Sequence, residues 1–181
     1  MGDGKVALIL DVVDRARRAR ISSGTCRGDS LAMAERSQFC TFYLDKLLFG
    51  VELRGVQEVI RSLEMTRVPL APEVVGGLIN LRGQIVTAVD LRRRLELEAR
   101  APEMRPMNVV VRSEDGAVSL LVDEIGDVIE VEETTFEQPP ETLRGKVRAM
   151  ILGVHKLESN LLHVLDTEKA CQMGELTAEI A

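Results

Sequence analysis

Residues 77–91 read Gly77-Leu-Ile-Asn-Leu-Arg-Gly-Gln-Ile-Val-Thr-Ala-Val-Asp-Leu91. Two aliphatic runs, Gly77–Leu81 and Gln84–Val89, flank Arg82-Gly83, the pattern of two strands joined by a tight turn. Asp90 then precedes Leu91-Arg92-Arg93-Arg94-Leu95, so the second strand runs into a helix whose first free N–H groups an aspartate can satisfy. Turn geometry accounts for Asn80 and Gly83. It does not account for Arg82, because no turn requires a guanidinium. A long planar cation at the tip of a stiff hairpin suits bidentate capture of a carboxylate, either Glu58 or one on a partner.

Upstream, Gln38–Leu44 alternates Phe39, Thr41 and Tyr43 with Cys40, Phe42 and Leu44, as a strand does. Asp45-Lys46 is a turn, and Leu47–Leu53 returns to complete a hairpin. Val56, Val59 and Ile60 lie at helical spacing, which predicts about two turns of helix over Arg54–Arg61 with Glu58 away from part of the apolar stripe. Thr66–Pro69 is expected to be extended. Pro69 and Pro72 fix a bend, and Gly76-Gly77 leaves a bare backbone that another chain could approach closely. Downstream, Glu98–Pro106 reads as a linker. Strands are expected at Asn108–Arg112, Val118–Val122 and Val128–Val131, then after the Pro139-Pro140 loop at Ala149–Val154 and Leu161–Leu165, with a last helix capped by Asp166. Two runs of about five strands separated by a linker indicate a mainly β chain, either two small barrels or one bilobed unit.

Composition removes several function classes. Aromatics are 3% with no Trp, so the core is aliphatic and a base-stacking platform is not expected. The net charge of -6 opposes contact with a phosphate backbone. The apolar run Val6–Leu10 is too short for a signal-peptide core or a membrane span, so the chain reads as cytoplasmic, without direct membrane insertion. Cys26, Cys40 and Cys171 are widely spaced and form no CxxC, which implies neither a disulfide framework nor a zinc site. His155 and His163 lie in or beside apolar strands and read as packed histidines. The pairs Asp123-Glu124 and Glu132-Glu133 point to opposite faces of a strand and read as a solvated rim. No phosphate-binding loop, zinc motif or nucleophile elbow occurs. No catalytic residue, metal or cofactor is therefore expected.

The two ends stand apart. Met1–Asp11 aligns without gaps on Lys156–Asp166, each a polar turn, an aliphatic strand and an aspartate opening a helix. The basic run Arg15-Ala-Arg-Arg-Ala-Arg20 complements the C-terminal end of such a helix. Residues 22–35 read as a tether and residues 174–181 as a flexible tail, which leaves one module over residues 36–173.

Phe39-Cys-Thr-Phe-Tyr-Leu44, Gly50-Val-Glu-Leu-Arg-Gly-Val-Gln-Glu-Val-Ile60, Val68-Pro69 with Pro72, and above all the Asn80-Leu-Arg-Gly83 turn resemble the CheW family, adaptors of bacterial chemotaxis arrays. Val118–Val128 and Ala149–Asp166 continue the resemblance. It implies two five-stranded SH3-like or OB-like β-barrel subdomains with short helices. It also implies a non-catalytic role coupling chemoreceptor cytoplasmic tips (methyl-accepting chemotaxis proteins) to the histidine kinase CheA. The family's receptor contacts fall on Val56, Glu58 and Gly77, with its central arginine at Arg82, and the Glu58–Arg82 pair shapes the receptor-facing groove. Kinase contacts are expected near Val51 and Leu53. Met1–Val12 resembles the closing strand of the CheW-like regulatory domain at the end of CheA, so the alternative is a regulatory end of a kinase or a tandem-CheW protein. An OB-like ligand- or nucleic-acid-binding module is a further alternative, opposed by the few aromatics and the acidic balance.

Overall fold

The structure, a computed structural model, describes residues 36–61 and 63–172. The expected strand, helix and tether over residues 1–35, the arginine run within them and the tail at 174–181 lie outside the described residues.

The described chain is mainly β. It runs β1 (Arg36–Leu44), β2 (Leu47–Glu52), a 3-10 turn (Leu53–Gly55), β3 (Val56–Ile60), β4 (Val75–Leu81), β5 (Gln84–Asp90) and α1 (Leu91–Arg94). It continues through β6 (Met107–Ser113), β7 (Gly116–Val122), β8 (Glu124–Glu132), a second 3-10 turn (Glu133–Thr135), β9 (Phe136–Glu137), α2 (Gly145–Ala149), β10 (Ile151–Lys156), β11 (Leu161–Leu165) and α3 (Thr167–Cys171). These strands form a six-stranded sheet, β8-β1-β2-β11-β10-β9, and a five-stranded sheet, β3-β6-β7-β5-β4.

The two halves of the chain exchange strands. The hairpin β1–β2 lies in the first sheet, but the next three strands, β3 to β5, lie in the second with β6 and β7. The later strands β8 to β11 return to the first sheet. The pairings correspond as well: β2 is parallel to β11 as β7 is to β5, and β1 is antiparallel to β8 as β6 is to β3. Each half ends in a strand followed by a short capped helix. Asp90 accepts from the Arg92 N–H before α1, and Asp166 from the Lys169 N–H before α3.

Strands buried on both faces need two cores, and the alternation of side chains supplies them. Cys40, Phe42, Phe49 and Val51 of the first sheet meet Val109, Val111, Val118 and Leu120 of the second in one shared cluster. Their neighbours Phe39, Leu48, Val131, Leu162 and Val164 form a smaller cluster belonging to the first sheet alone. Ile79, Val86, Ala88 and Leu121 do the same for the second. The first sheet is closed by one run of chain, because β8 passes through residues 133–135 into β9, which pairs with β10. In the second, the segment after β3 reaches the far strand through Thr66 and Leu78, each donating its N–H to the other's carbonyl at 2.9 and 2.8 Å.

Two expected elements are corrected. Arg54–Arg61 is a 3-10 turn followed by β3, not a helix. The β3–β6 register slips between Val56 and Glu58, so one extra residue is absorbed and Val56 and Val59, three apart, both face the core. A β-bulge of this kind imitates the helical spacing that the sequence displays. Ala149 belongs to α2, and the strand assigned to it starts at Ile151.

Candidate functional site

Leu81 pairs with Gln84, so Arg82 and Gly83 form the whole loop of the β4–β5 hairpin, with φ of 53° and 89°. Two left-handed residues in succession make a type I′ turn, whose twist suits paired strands and which favours Asn, Asp or Gly. Asn80 Oδ1 accepts from the Gly83 N–H at 2.8 Å and fixes the turn. Arginine in the first left-handed position costs roughly 1–2 kcal/mol. The strain confirms, by a second route, that turn geometry does not explain Arg82.

The Arg82 side chain is 79% exposed, and its Nη2 donates to Glu58 Oε1 at 2.6 Å, where Glu58 is 16% exposed. Glu58 projects from β3 and Arg82 from the β4–β5 turn, which are opposite ends of the strand order. The pair therefore spans the seam of the second sheet. With one partner so exposed, the ion pair adds no more than about 1 kcal/mol to stability. What it provides is orientation: the guanidinium is held over a carboxylate while most of its surface faces solvent. Ile85, paired with Asn80 one register position from the turn, is 61% exposed and leaves an apolar side chain open on the same hairpin. That side chain was not singled out from the sequence, where Ile85 reads as one more strand aliphatic.

The remaining expected contact residues are placed differently. Val56, Val51 and Leu53 are buried in the shared core, so their side chains face inward and are not presented to a partner. Gly77 is buried as well, and the chain that approaches it is the molecule's own. A Cβ there would lie 2.7 Å from the Thr66 carbonyl oxygen, at a φ of 153°. Gly77→Ala is expected to lower stability by about 1–3 kcal/mol, because the Thr66–Leu78 bridge has to move. Urea denaturation checks this, and an unchanged midpoint would count against the tight contact.

Asp123 corrects the reading of Asp123-Glu124 as a solvated rim. Its side chain is 6% exposed, and its Oδ2 accepts from Arg92 Nη2 at 2.6 Å while Oδ1 accepts from Arg100 Nε at 2.9 Å. The Asp45 N–H adds a third donor at 2.8 Å, and Arg100 Nη1 also reaches Asp90 Oδ2 at 3.3 Å. Burial by itself would raise this carboxyl, but the bonds from Arg92, the Asp45 N–H and Arg100 outweigh it and hold the group below its usual range. The cluster ties the β1–β2 turn of the first sheet to α1 beside the second.

His155 and His163 are both buried, as packed histidines are. The thiols of Cys40 and Cys171 are buried and pushed up to about 11 and about 12, chiefly by burial. Among the described residues no group of three or more His, Cys, Asp or Glu converges as a metal site would require. A cleft of about 590 Å³ opens at the turn end of the first sheet, with Leu47, Leu143, Leu157 and Leu161 among its walls and Lys46 and Lys156 on it.

Comparison with known proteins gives a consistent picture. The family model described as "CheW-like domain" matches residues 38–175. The chemotaxis protein CheW of Treponema pallidum is 30% identical over 146 residues, covering 78% of this chain and 86% of that protein. CheW of Bacillus subtilis is 30% identical over 118 residues, covering 65% of this chain and 76% of its own length. The crystal structure of the scaffolding protein TtCheW from Thermoanaerobacter tengcongensis superposes with a TM-score of 0.66 at 27% identity, covering 72% of this chain and 89% of that one.

Proposed function

The chain belongs to the CheW-like domain family, and from that premise we propose that it couples the cytoplasmic tips of chemoreceptors to the histidine kinase CheA by contact rather than by turnover. It is a chemotaxis scaffold, and the finer reading is which surface meets which partner. The observation that carries it is Arg82: an exposed guanidinium in a strained position on a two-residue loop, steadied by Glu58. Strain of this kind is retained where a side chain has to stand in one place. The fit is to a partner that offers a carboxylate to the guanidinium and an apolar side chain to Ile85. Gly77 and Val56 then act beneath this surface, one by letting the 65–66 segment close on β4 and the other by filling the core under β3. Val51 and Leu53 support a kinase-facing surface in the same indirect way. Among the described residues no helix is long and apolar enough to cross a membrane, and placement at membrane-associated receptor arrays would come through the receptor.

The test is reconstitution from three components: vesicles carrying a chemoreceptor, CheA and this chain. The expected result is that CheA sediments with the vesicles, and its autophosphorylation responds to receptor ligand, only when the chain is added. If the chain stays in the supernatant, or CheA sediments equally well without it, the reading fails.

A further inference from the structure

The weakest attachment in the first sheet is β9. It pairs with β10 through two residues only, Glu137 with Val154 and Phe136 with His155. Phe136 remains 43% exposed, so little apolar burial holds it. Its ring lies over Gly153, where a Cβ would come within 2.2 Å of Cζ. The Lys156–Glu137 ion pair at 2.7 Å has both side chains at least half exposed and adds little. Segments with few buried contacts and short pairing open first.

The firmest hold on this segment is His155. The ring is 3% exposed and sits between Phe39 and Phe136, with centroids 5.5 and 5.3 Å away. Its Nδ1 lies 2.9 Å from Thr135 Oγ1, and that hydroxyl also bonds to the Glu132 carbonyl at 2.8 Å. A hydroxyl has one proton, and a carbonyl can only accept, so Thr135 donates to Glu132 and accepts from His155 Nδ1–H. The neutral ring therefore carries its proton on Nδ1, and a second proton has to go to Nε2.

We propose that residues 133–143 form a strap that stays docked on β10 while the His155 ring is neutral and lifts away when that ring takes a second proton. Burial opposes the charged ring, while Glu133 on the strap favours it, and burial is the stronger. Of the other charges nearby, Glu137 is engaged with Lys156, and Glu130 and Glu132 with Arg36 of β1, while Glu141 of the strap is exposed beyond Pro139-Pro140. Across the sheet the neighbour is Leu162 of β11, which is apolar. The sign follows. A proton binds the lifted form more readily than the docked one, so docking is unaffected above about pH 6.5 and weakens as pH falls below it. The strap also carries Pro140, Thr142 and Leu143, which line the 590 Å³ cleft, so lifting it reshapes that surface.

Amide hydrogen exchange on the whole chain tests the proposal. Between pH 7.5 and pH 5.5, after allowance for intrinsic rates, protection at residues 135–137 is expected to fall about tenfold, while the β1–β2 and β6–β7 amides hold theirs. In His155→Phe the pH dependence is expected to vanish. Should that variant fail to fold, NMR titration of the wild-type His155 ring decides: its midpoint has to coincide with the change in the strap signals. Equal loss of protection across both sheets, no loss at all, persistence of the effect in His155→Phe, or strap signals that move independently of the ring would each overturn the proposal.

Discussion

Asp123→Ala is expected to lower the unfolding free energy by about 3–5 kcal/mol, the range for removing one partner from a buried ion cluster. The loss exceeds that of any hydrogen bond in the cluster because the buried Arg92 guanidinium would lose its ion-pair partner and Arg100 would keep only Asp90, at 3.3 Å. Asp123→Asn keeps the shape and tests the charge alone. The pH dependence has a definite sign. The carboxyl is held below its usual value in the folded chain, so its contribution is complete above the unfolded value near 3.9 and is withdrawn as pH falls through the lower folded one. Urea titrations at pH 7 and pH 3 check both points. The gap between wild type and Asp123→Asn should narrow in acid, and an equal gap at both pH values would mean that the charge is not what matters.

Arg82→Glu is expected to leave the fold nearly intact and to weaken receptor coupling by about 2–5 kcal/mol, or roughly 30-fold to a few thousand-fold in affinity. The two effects separate because the side chain is 79% exposed. Its loss costs the domain at most about 1 kcal/mol. Arg82→Asn sharpens the contrast, since asparagine suits the first position of the turn and should make the hairpin no less stable while removing the cation. The charge exchange Glu58→Arg with Arg82→Glu restores an internal pair but moves the guanidinium off the hairpin tip. If the tip has to carry the cation, binding stays low in the double variant. Full recovery would show that the pair is a seam clasp and nothing more. Titration of receptor-tip binding, with thermal unfolding alongside, reads both quantities.

The turn and cap at residues 80–92 were legible residue by residue, because turn chemistry and helix capping are local. Their glycine, asparagine and aspartate each have one geometric use. The Glu58–Arg82 pair was legible as chemistry but not as geometry, since nothing local says that β3 lies beside the β4–β5 turn. Arg54–Arg61 misled because a bulge stretched the strand period from two to three. The Asp123-Glu124 reading failed more instructively. Position 123 lies in the bend between β7 and β8 rather than on a strand, so strand alternation does not decide which of the two points inward. Asp123 does, and the arginines that receive it come from α1 and the 98–106 connection, far away in sequence. The burial of Val51, Leu53 and Val56 was not legible for a related reason: an aliphatic residue looks the same in a sequence whether it meets a partner or the chain's own interior.

The reciprocal placement of strands described above makes each lobe a joint product of both halves. A break in the 98–106 connection would leave two fragments, neither holding a complete set of strands for either lobe. Such fragments are complementary by construction, and a half from one molecule can in principle complete a half from another. Assembly of the first lobe therefore has to wait for the distant end of the polypeptide, whereas the second, drawn from the contiguous residues 56–122, can close once β7 has emerged from synthesis.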